Sequence, residues 1–176
     1  MKKVLLLLGI GLILALIIFY LASKGSQSRQ AEKFADEQFI LQIGSDMLLD
    51  QGLSVEIFNI HRDFGSSYPT DMTFMVANLS TEVIIFPDSY YGVTVYTWNS
   101  QSSQWVNPHM NFQAFQLESI LQPGDKTKIT PRNSFTLFGE DFIDRNLSTV
   151  RILISGTGAS SGIKYGDYID VNLTNP

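Results

Sequence analysis

Two histidines, His61 and His109, are the only imidazoles in this chain of 176 residues, and they are the first residues to consider for catalysis. They lie far apart in the sequence, and neither has an acidic partner at motif spacing. A catalytic triad is defined by its geometry in space, so a serine and an aspartate could still meet either ring. The chain has no cysteine, which excludes thiolate chemistry and disulfides. We predict surface or loop histidines, no catalytic residues and no enzymatic activity.

Three carboxylates cluster in Glu140-Asp141-x-x-Asp144, a composition that can bind calcium loosely with help from carbonyl oxygens. The alternating oxygen ligands and the closing glutamate of a helix-loop-helix calcium site are missing. We therefore predict a solvated acidic turn, no metal and no cofactor.

The glycine-rich segment from Gly156 to Gly162 has a superficial likeness to a phosphate-binding loop. It lacks the Lys-Ser/Thr ending of such loops and leads into a strand. A flexible hairpin loop is the prediction.

Aromatic residues are the best candidates for a binding site. If Val93 and Val95 face the core of a strand, Tyr96 and Trp98 project from its opposite face. A hairpin that pairs positions 98 and 105 sets Trp98 opposite Trp105, a stabilising cross-strand pair. Exposed aromatic side chains on a sheet can bind carbohydrate or protein. The alternative is that another segment covers them, so that they belong to the core.

The elements that must position these residues are short strands. Leu53, Val55 and Ile57 alternate with polar residues, a pattern typical of a half-buried strand. Similar patterns bounded by turn residues predict further strands at 72–77, 83–86, 92–98, 104–107, 112–118, 126–130, 150–154 and 168–174. Asn78 is predicted to end a strand and turn the chain. Strands at this spacing favour an antiparallel β-sandwich.

The N-terminus carries an apolar run at residues 4–22, preceded by Lys2 and Lys3. The run is close to the ~20 residues that a spanning helix requires, and the residues after it form a poor cleavage site. We therefore predict a transmembrane signal anchor at residues 1–25, with cleavage as the alternative. Residues 26–49 follow as a juxtamembrane helix or stalk, helical over 26–43, and residues 50–176 as the β domain.

Charge limits the partners of the region beyond the anchor. Without Lys2 and Lys3, ten basic residues face seventeen acidic ones, a formal charge of −7. No basic run is present, so nucleic acid is not an expected partner. The short N-terminal flank and the large polar region after the apolar run predict a single-pass membrane protein whose β domain is extracytoplasmic.

The stretch TFMVANLSTEVIIF from Thr73 to Phe86, and LQPGD from Leu121 to Asp125, resemble immunoglobulin-like domains of membrane-anchored bacterial or archaeal surface proteins. In those domains a strand ends at an Asn before a small polar turn, and a later Pro-Gly turn opens a strand. The resemblance covers about residues 53–130. It implies an immunoglobulin-like sandwich with a binding or scaffold role and transfers no active-site residue.

These observations lead to one main functional hypothesis and two alternatives. The main one is a membrane-anchored, non-catalytic β-sandwich that binds a protein partner at the cell surface as an accessory subunit. The first alternative is a structural or stator-like subunit of a surface filament. The second is a secreted carbohydrate-binding module, which requires cleavage of the anchor and exposure of Tyr96, Trp98 and Trp105.

Overall fold

The computed structural model describes residues 36–44, 46–62, 69, 71–87, 91–99, 102, 104–107, 118–131 and 149–173. The chain divides into two compact units, Met1–Gln42 and Ile43–Pro176. Helix α1 (residues 36–43) confirms the end of the predicted helix, whose first residues, 26–35, lie outside the described part. The predicted anchor at residues 4–22 also lies outside it. Within the described ranges, no helix is long and apolar enough to span a membrane.

The second unit is built from β-strands, which confirms the predicted mainly-β class. Its described strands are β1 (Met47–Leu49), β2 (Leu53–His61), β3 (Asp71–Asn78), β4 (Ile84–Phe86), β5 (Val93–Asn99), β6 (Gln104–Val106), β7 (Ser119–Leu121), β8 (Lys126–Ile129), β9 (Thr149–Gly158) and β10 (Lys164–Asn172).

The larger sheet is organised around β9. One edge of β9 pairs with β10 along its length, from Thr157↔Lys164 to Thr149↔Asn172. The other edge pairs with β5 and, near its end, with β4. Strand β6 extends the sheet from β5, β7 extends it from β4, and β1 extends it from β10. As the central strand, β9 must supply residues that fit on both faces of the sheet.

Strand β1 differs from the sequence prediction in two ways. Residues 47–49 were expected in the stalk, but they form a sheet strand, so the β domain begins before residue 50. The strand also runs parallel to β10, so the larger sheet is mixed and not purely antiparallel. A strand of three residues is too short to show the alternation that reveals longer strands.

The smaller sheet has the order β2-β3-β8, with antiparallel pairs throughout. A bulge between Ile57 and Asn59 shifts the register of β2 against β3. The bulge explains why the predicted strand stopped at Ile57, because it interrupts the period of two on which the prediction depended.

Both sheets contribute to one hydrophobic core. Its fully buried side chains come from β2 and β3 in the smaller sheet and from β4, β5, β9 and β10 in the larger one: Leu53, Met72, Phe74, Val76, Ile84, Phe86, Val95, Val150, Ile152, Ile154 and Val171. Burying each such side chain contributes roughly 1.5–3 kcal/mol. Side chains alternate between the two faces along β9, so Arg151 and Leu153, which lie between its core residues, are on the outer face of the larger sheet.

Candidate aromatic binding face

The predicted cross-strand pair is present in the β5–β6 hairpin. Trp98 lies opposite Trp105 in the register, which confirms the predicted pairing. Their ring centroids are 5.5 Å apart and the ring planes are inclined by 63°, an edge-to-face arrangement. Aromatic pairs of this kind contribute about 0.5–1.5 kcal/mol beyond area burial. At the hairpin turn, the Ser102 amide donates to the Asn99 side-chain oxygen at 3.2 Å.

Arg151 joins this pair to strand β10. It lies opposite Tyr96 on β5 and opposite Asp170 on β10. Its Nε and Nη2 atoms each donate a 2.7 Å hydrogen bond to the Asp170 carboxylate. The guanidinium carbon is 4.2 Å from the ring centroid of Trp105 and 4.2 Å from that of Tyr168. A forked ion pair and two aromatic rings therefore fix the guanidinium in one orientation.

We call this outer surface of the larger sheet the aromatic face. It consists of Tyr96, Trp98, Trp105, Arg151, Tyr168 and Asp170.

Exposure divides the aromatic face into a buried base and a reachable rim. Tyr96 and Trp105 are each only 8% exposed, and Arg151 is 3% exposed. Burial raises the pKa of the Tyr96 hydroxyl above its ordinary value. Trp98 and Tyr168 are half-buried, and the Asp170 side chain is 42% exposed. Of the three residues predicted for binding, Trp98 is therefore the one that a partner can touch directly.

Three residues of this face were not predicted from the sequence. Arg151 is the one charged residue of β9, and this isolated charge in an apolar strand was the available signal. Tyr168 and Asp170 occupy alternating outward positions of β10. Their meeting with Arg151 depends on the β9–β10 register, which the strand patterns alone do not fix.

The aromatic face has the chemistry of a binding surface. Aromatic rings supply area that is fixed by few torsions, and the Asp170 carboxylate supplies exposed hydrogen-bond acceptors. His61 is at the end of β2 in the smaller sheet, away from the aromatic face in the topology. No group of three or more His, Cys, Asp or Glu side chains that could hold a metal occurs in the described part of the chain. His109 and the predicted acidic turn at 140–144 lie outside that part.

A second polar cluster surrounds Asn78, which is fully buried at the end of β3. Its amide nitrogen donates to the carbonyl oxygens of Glu82 and Leu121, both at 2.8 Å. Its amide oxygen accepts from the Ser80 amide at 2.9 Å and from the Ser80 hydroxyl at 2.7 Å. This confirms the prediction that Asn78 ends the strand and turns the chain. With its side-chain donors and acceptors used internally, Asn78 is structural.

The Glu82 carboxylate holds the β9–β10 turn in place. It accepts hydrogen bonds from the amides of Ser160 and Ser161, both at 3.0 Å, and from both of their hydroxyls. The Tyr165 hydroxyl donates a further bond of 2.8 Å. These bonds, led by the one from Ser160, lower the pKa of Glu82 to about 2. The segment predicted as a flexible loop is thus partly strand, up to Gly158, and partly a turn fixed by Glu82.

Gly158 to Gly162 fit the letters Gly-x-Ser-x-Gly, a pattern found at nucleophilic serines. That chemistry requires a sharp strand-to-helix turn and a histidine base. Here the segment joins two antiparallel strands, and the Ser160 hydroxyl donates to Glu82 at 2.6 Å. An added Cβ at Gly158 would clash with the same carboxylate. The pattern therefore serves the turn and not a nucleophile.

No protein-family model matches the chain, and comparison with curated proteins finds no relative.

Proposed function

We propose that this chain is a membrane-anchored, extracytoplasmic and non-catalytic immunoglobulin-like β-sandwich that binds a protein partner as an accessory subunit. The aromatic face is the proposed binding surface. The single observation that carries the proposal is the ordered group formed by Arg151, Trp105, Tyr168 and Asp170 beside the half-exposed Trp98.

Residue types and rigidity support this proposal. Trp, Tyr and Arg are enriched where truncation of an interface residue costs the most binding energy. A surface already held in one conformation loses less side-chain entropy when a partner binds. On the aromatic face, the side chains of Arg151 and Trp105 are buried. They contact the more exposed residues Trp98, Tyr168 and Asp170, and these contacts hold the exposed side chains in one conformation before a partner binds.

The location is supported by the sequence. The apolar run at residues 4–22 is of spanning length, and the polar region follows it. Anchoring of this kind holds the domain at the membrane surface, where a non-covalent partner is met at raised effective concentration.

Carbohydrate is the second candidate ligand, and one observation favours it. Asp170 is exposed and lies two residues from Tyr168 on β10, so both side chains project from the same face and a hydrogen-bonding carboxylate occurs beside an aromatic ring. Carbohydrate binding at this face can be followed by Trp fluorescence, because Trp98 and Trp105 are the only two tryptophans in the sequence.

The test is co-purification of the full-length protein from its own membranes in mild detergent. Trp98→Ala is compared with Phe58→Ala, which removes a 53% exposed aromatic from the smaller sheet. We expect a stoichiometric protein partner with the wild type and with Phe58→Ala, and its loss with Trp98→Ala. Equal recovery of that partner with Trp98→Ala would overturn the proposal. A saturable fluorescence change with cell-surface polysaccharide, lost in Trp98→Ala, would replace protein by carbohydrate as the ligand.

A further inference from the structure

Strand β1 is held to the rest of the larger sheet by few contacts. It has three residues, lies at an edge of the sheet and pairs with β10. The pairing is parallel, which is slightly less stable per residue than antiparallel pairing. Met47 and Leu49 are half-buried, and Leu48 is 37% exposed. None of these side chains belongs to the hydrophobic core that the described residues form.

Side-chain contacts add to this short ladder. The Lys164 ammonium group donates a 2.7 Å hydrogen bond to the Asp46 carboxylate, and both side chains are more than half exposed. An ion pair this exposed stabilises a fold very little and is screened by salt. Met47 and Leu49 lie against Gly166 on β10, where a Cβ atom would clash with the Met47 sulfur. This close packing therefore depends on the absence of a side chain at position 166.

The backbone has turn conformations on both sides of β1. Before the strand, Gly44 has φ of 103°, and its carbonyl oxygen accepts from the Met47 amide at 3.3 Å. After the strand, Asp50 has φ of 56°, a left-handed conformation that is uncommon for a residue with a side chain. Residues at the ends of elements absorb the backbone rotations when an element moves. Both ends of β1 can therefore act as hinges.

Gly52 fixes the chain immediately after the second of these turns. Its carbonyl oxygen accepts from the amides of Leu79 at 2.9 Å and Ser80 at 3.1 Å. A Cβ atom at position 52 would lie 2.7 Å from the Tyr165 ring, so the Gly52 backbone packs directly against that ring. The Tyr165 hydroxyl in turn donates to Glu82 at 2.8 Å. Movement of β1 therefore stops at Gly52, and strand β2 beyond it stays in place.

We propose that residues 46–51 form a strap that detaches from β10 as a local unit while the rest of the β domain stays folded. In the closed state, the chain is fixed to the larger sheet from Met47 onward. In the open state it is fixed from Gly52 onward, and the released residues add up to about 17 Å of extended chain. The strap thus adjusts the reach of the β domain from the residues that precede it. It is a property of the fold and does not depend on what the aromatic face binds.

Hydrogen exchange of the full-length chain in detergent, followed by mass spectrometry, tests the strap. Peptides that cover residues 46–51 are compared with peptides that cover residues 150–154 of β9, the central strand of the larger sheet. Local opening free energies range from near zero to the global value, and core strands lie at the upper end. We expect the amides of the strap to have at least about a hundredfold lower protection than those of β9.

Gly166→Ala distinguishes local opening of the strap from general destabilisation. The added Cβ displaces Met47 from β10, and the φ of Gly166 lies outside the left-handed region that alanine disfavours. Overpacking of this kind should lower the protection of residues 46–51 by at least about fivefold. The peptides that cover residues 150–154 are the internal control, and their protection should not change.

Three results would overturn the proposal. Equal protection of the strap and β9 in the wild type would mean that β1 opens only when the whole domain unfolds. The absence of measurable protection at residues 46–51 would mean that the closed state does not form. An equal fall in both sets of peptides in Gly166→Ala would mean that the strap does not open independently. The wild-type comparison alone decides the question if the variant fails to fold.

Discussion

Arg151 donates two hydrogen bonds of 2.7 Å to Asp170, and this pair connects the central strand of the larger sheet to the exposed rim of the aromatic face. The guanidinium is almost fully buried, whereas the carboxylate is 42% exposed. Loss of Asp170 would leave the Arg151 charge buried without the carboxylate that compensates it in this pair, and breaking a buried pair in this way is destabilising.

The first prediction concerns this ion pair. Asp170→Asn leaves Arg151 in place and removes the negative charge that faces it. Hydrogen bonds to charged groups contribute about 1.5–3 kcal/mol, and the exposure of Asp170 places the expected loss of unfolding free energy toward the lower end. Urea denaturation of the full-length protein measures it. Asp125→Asn is the control and should be near neutral. Equal stability of the two variants would contradict the role assigned to the pair.

The second prediction separates the two tryptophans. Trp105 is buried, so Trp105→Ala should cost about 3–5 kcal/mol of unfolding free energy. Trp98 is half-buried, and Trp98→Ala should cost chiefly the edge-to-face contact, about 0.5–1.5 kcal/mol. Denaturation followed by far-UV circular dichroism gives both values. A larger loss of unfolding free energy for Trp98→Ala than for Trp105→Ala would contradict the assignment of Trp105 to the buried base of the aromatic face and of Trp98 to its exposed rim.

The third prediction concerns Asn78. Asn78→Ala removes the donors to the carbonyl oxygens of Glu82 and Leu121, and it also removes the acceptor for Ser80. Each buried polar group left without a partner costs about 1–3 kcal/mol, so a loss of about 2–5 kcal/mol is expected. Asn99→Ala, at the exposed β5–β6 turn, is the comparison and should cost less than about 1 kcal/mol. A near-neutral Asn78→Ala would show that water replaces these bonds.

The fourth prediction is that the protein loses stability at acid pH and that this loss depends on Glu82. Its folded-state pKa of about 2 lies below the ordinary 4.5, so its stabilisation is present above 4.5 and is lost as pH falls toward 2. Thermal midpoints of the wild type should therefore decrease through this range. Glu82→Gln should have a lower midpoint at pH 5 and a flatter acid limb. If the thermal midpoints of the wild type and of Glu82→Gln changed in parallel with pH, ionisation of Glu82 could not be the cause of the acid destabilisation. Glu56→Gln, on the exposed side of β2, serves as the control.

Local patterns predicted the parts of the fold that depend on neighbouring residues. The alternation of residues located β3, β8 and the start of β2, where one face is more deeply buried than the other, whereas β5 is buried on both faces at residues 95–97. The Trp98–Trp105 register followed from the short polar turn between two aromatic strands, since a hairpin constrains its own pairing. Asn78 was identified as a turn residue because its side chain bonds to the backbone nearby.

Contacts between distant residues could not be predicted in this way. Glu82 meets Ser160 and Ser161 only because β4 pairs with the end of β9, and nothing in the local sequence of either segment specifies the other. For the same reason the glycine-rich turn was expected to be flexible. Arg151 occupies an outward position, where a charged residue normally indicates solvent, yet the aromatic rings and Asp170 bury it. Burial of this kind depends on the pairing of β9 with its neighbours.

The most direct test of the central claim is site-specific photo-cross-linking of the full-length chain in its native membrane. A photoreactive phenylalanine derivative replaces Trp98 in one variant and Phe58 in another, so that each sheet carries one probe. The proposal predicts a discrete cross-linked protein species from position 98 and none of that mass from position 58. The same species from both positions, or no protein cross-link from position 98, would contradict a protein-binding role for the aromatic face.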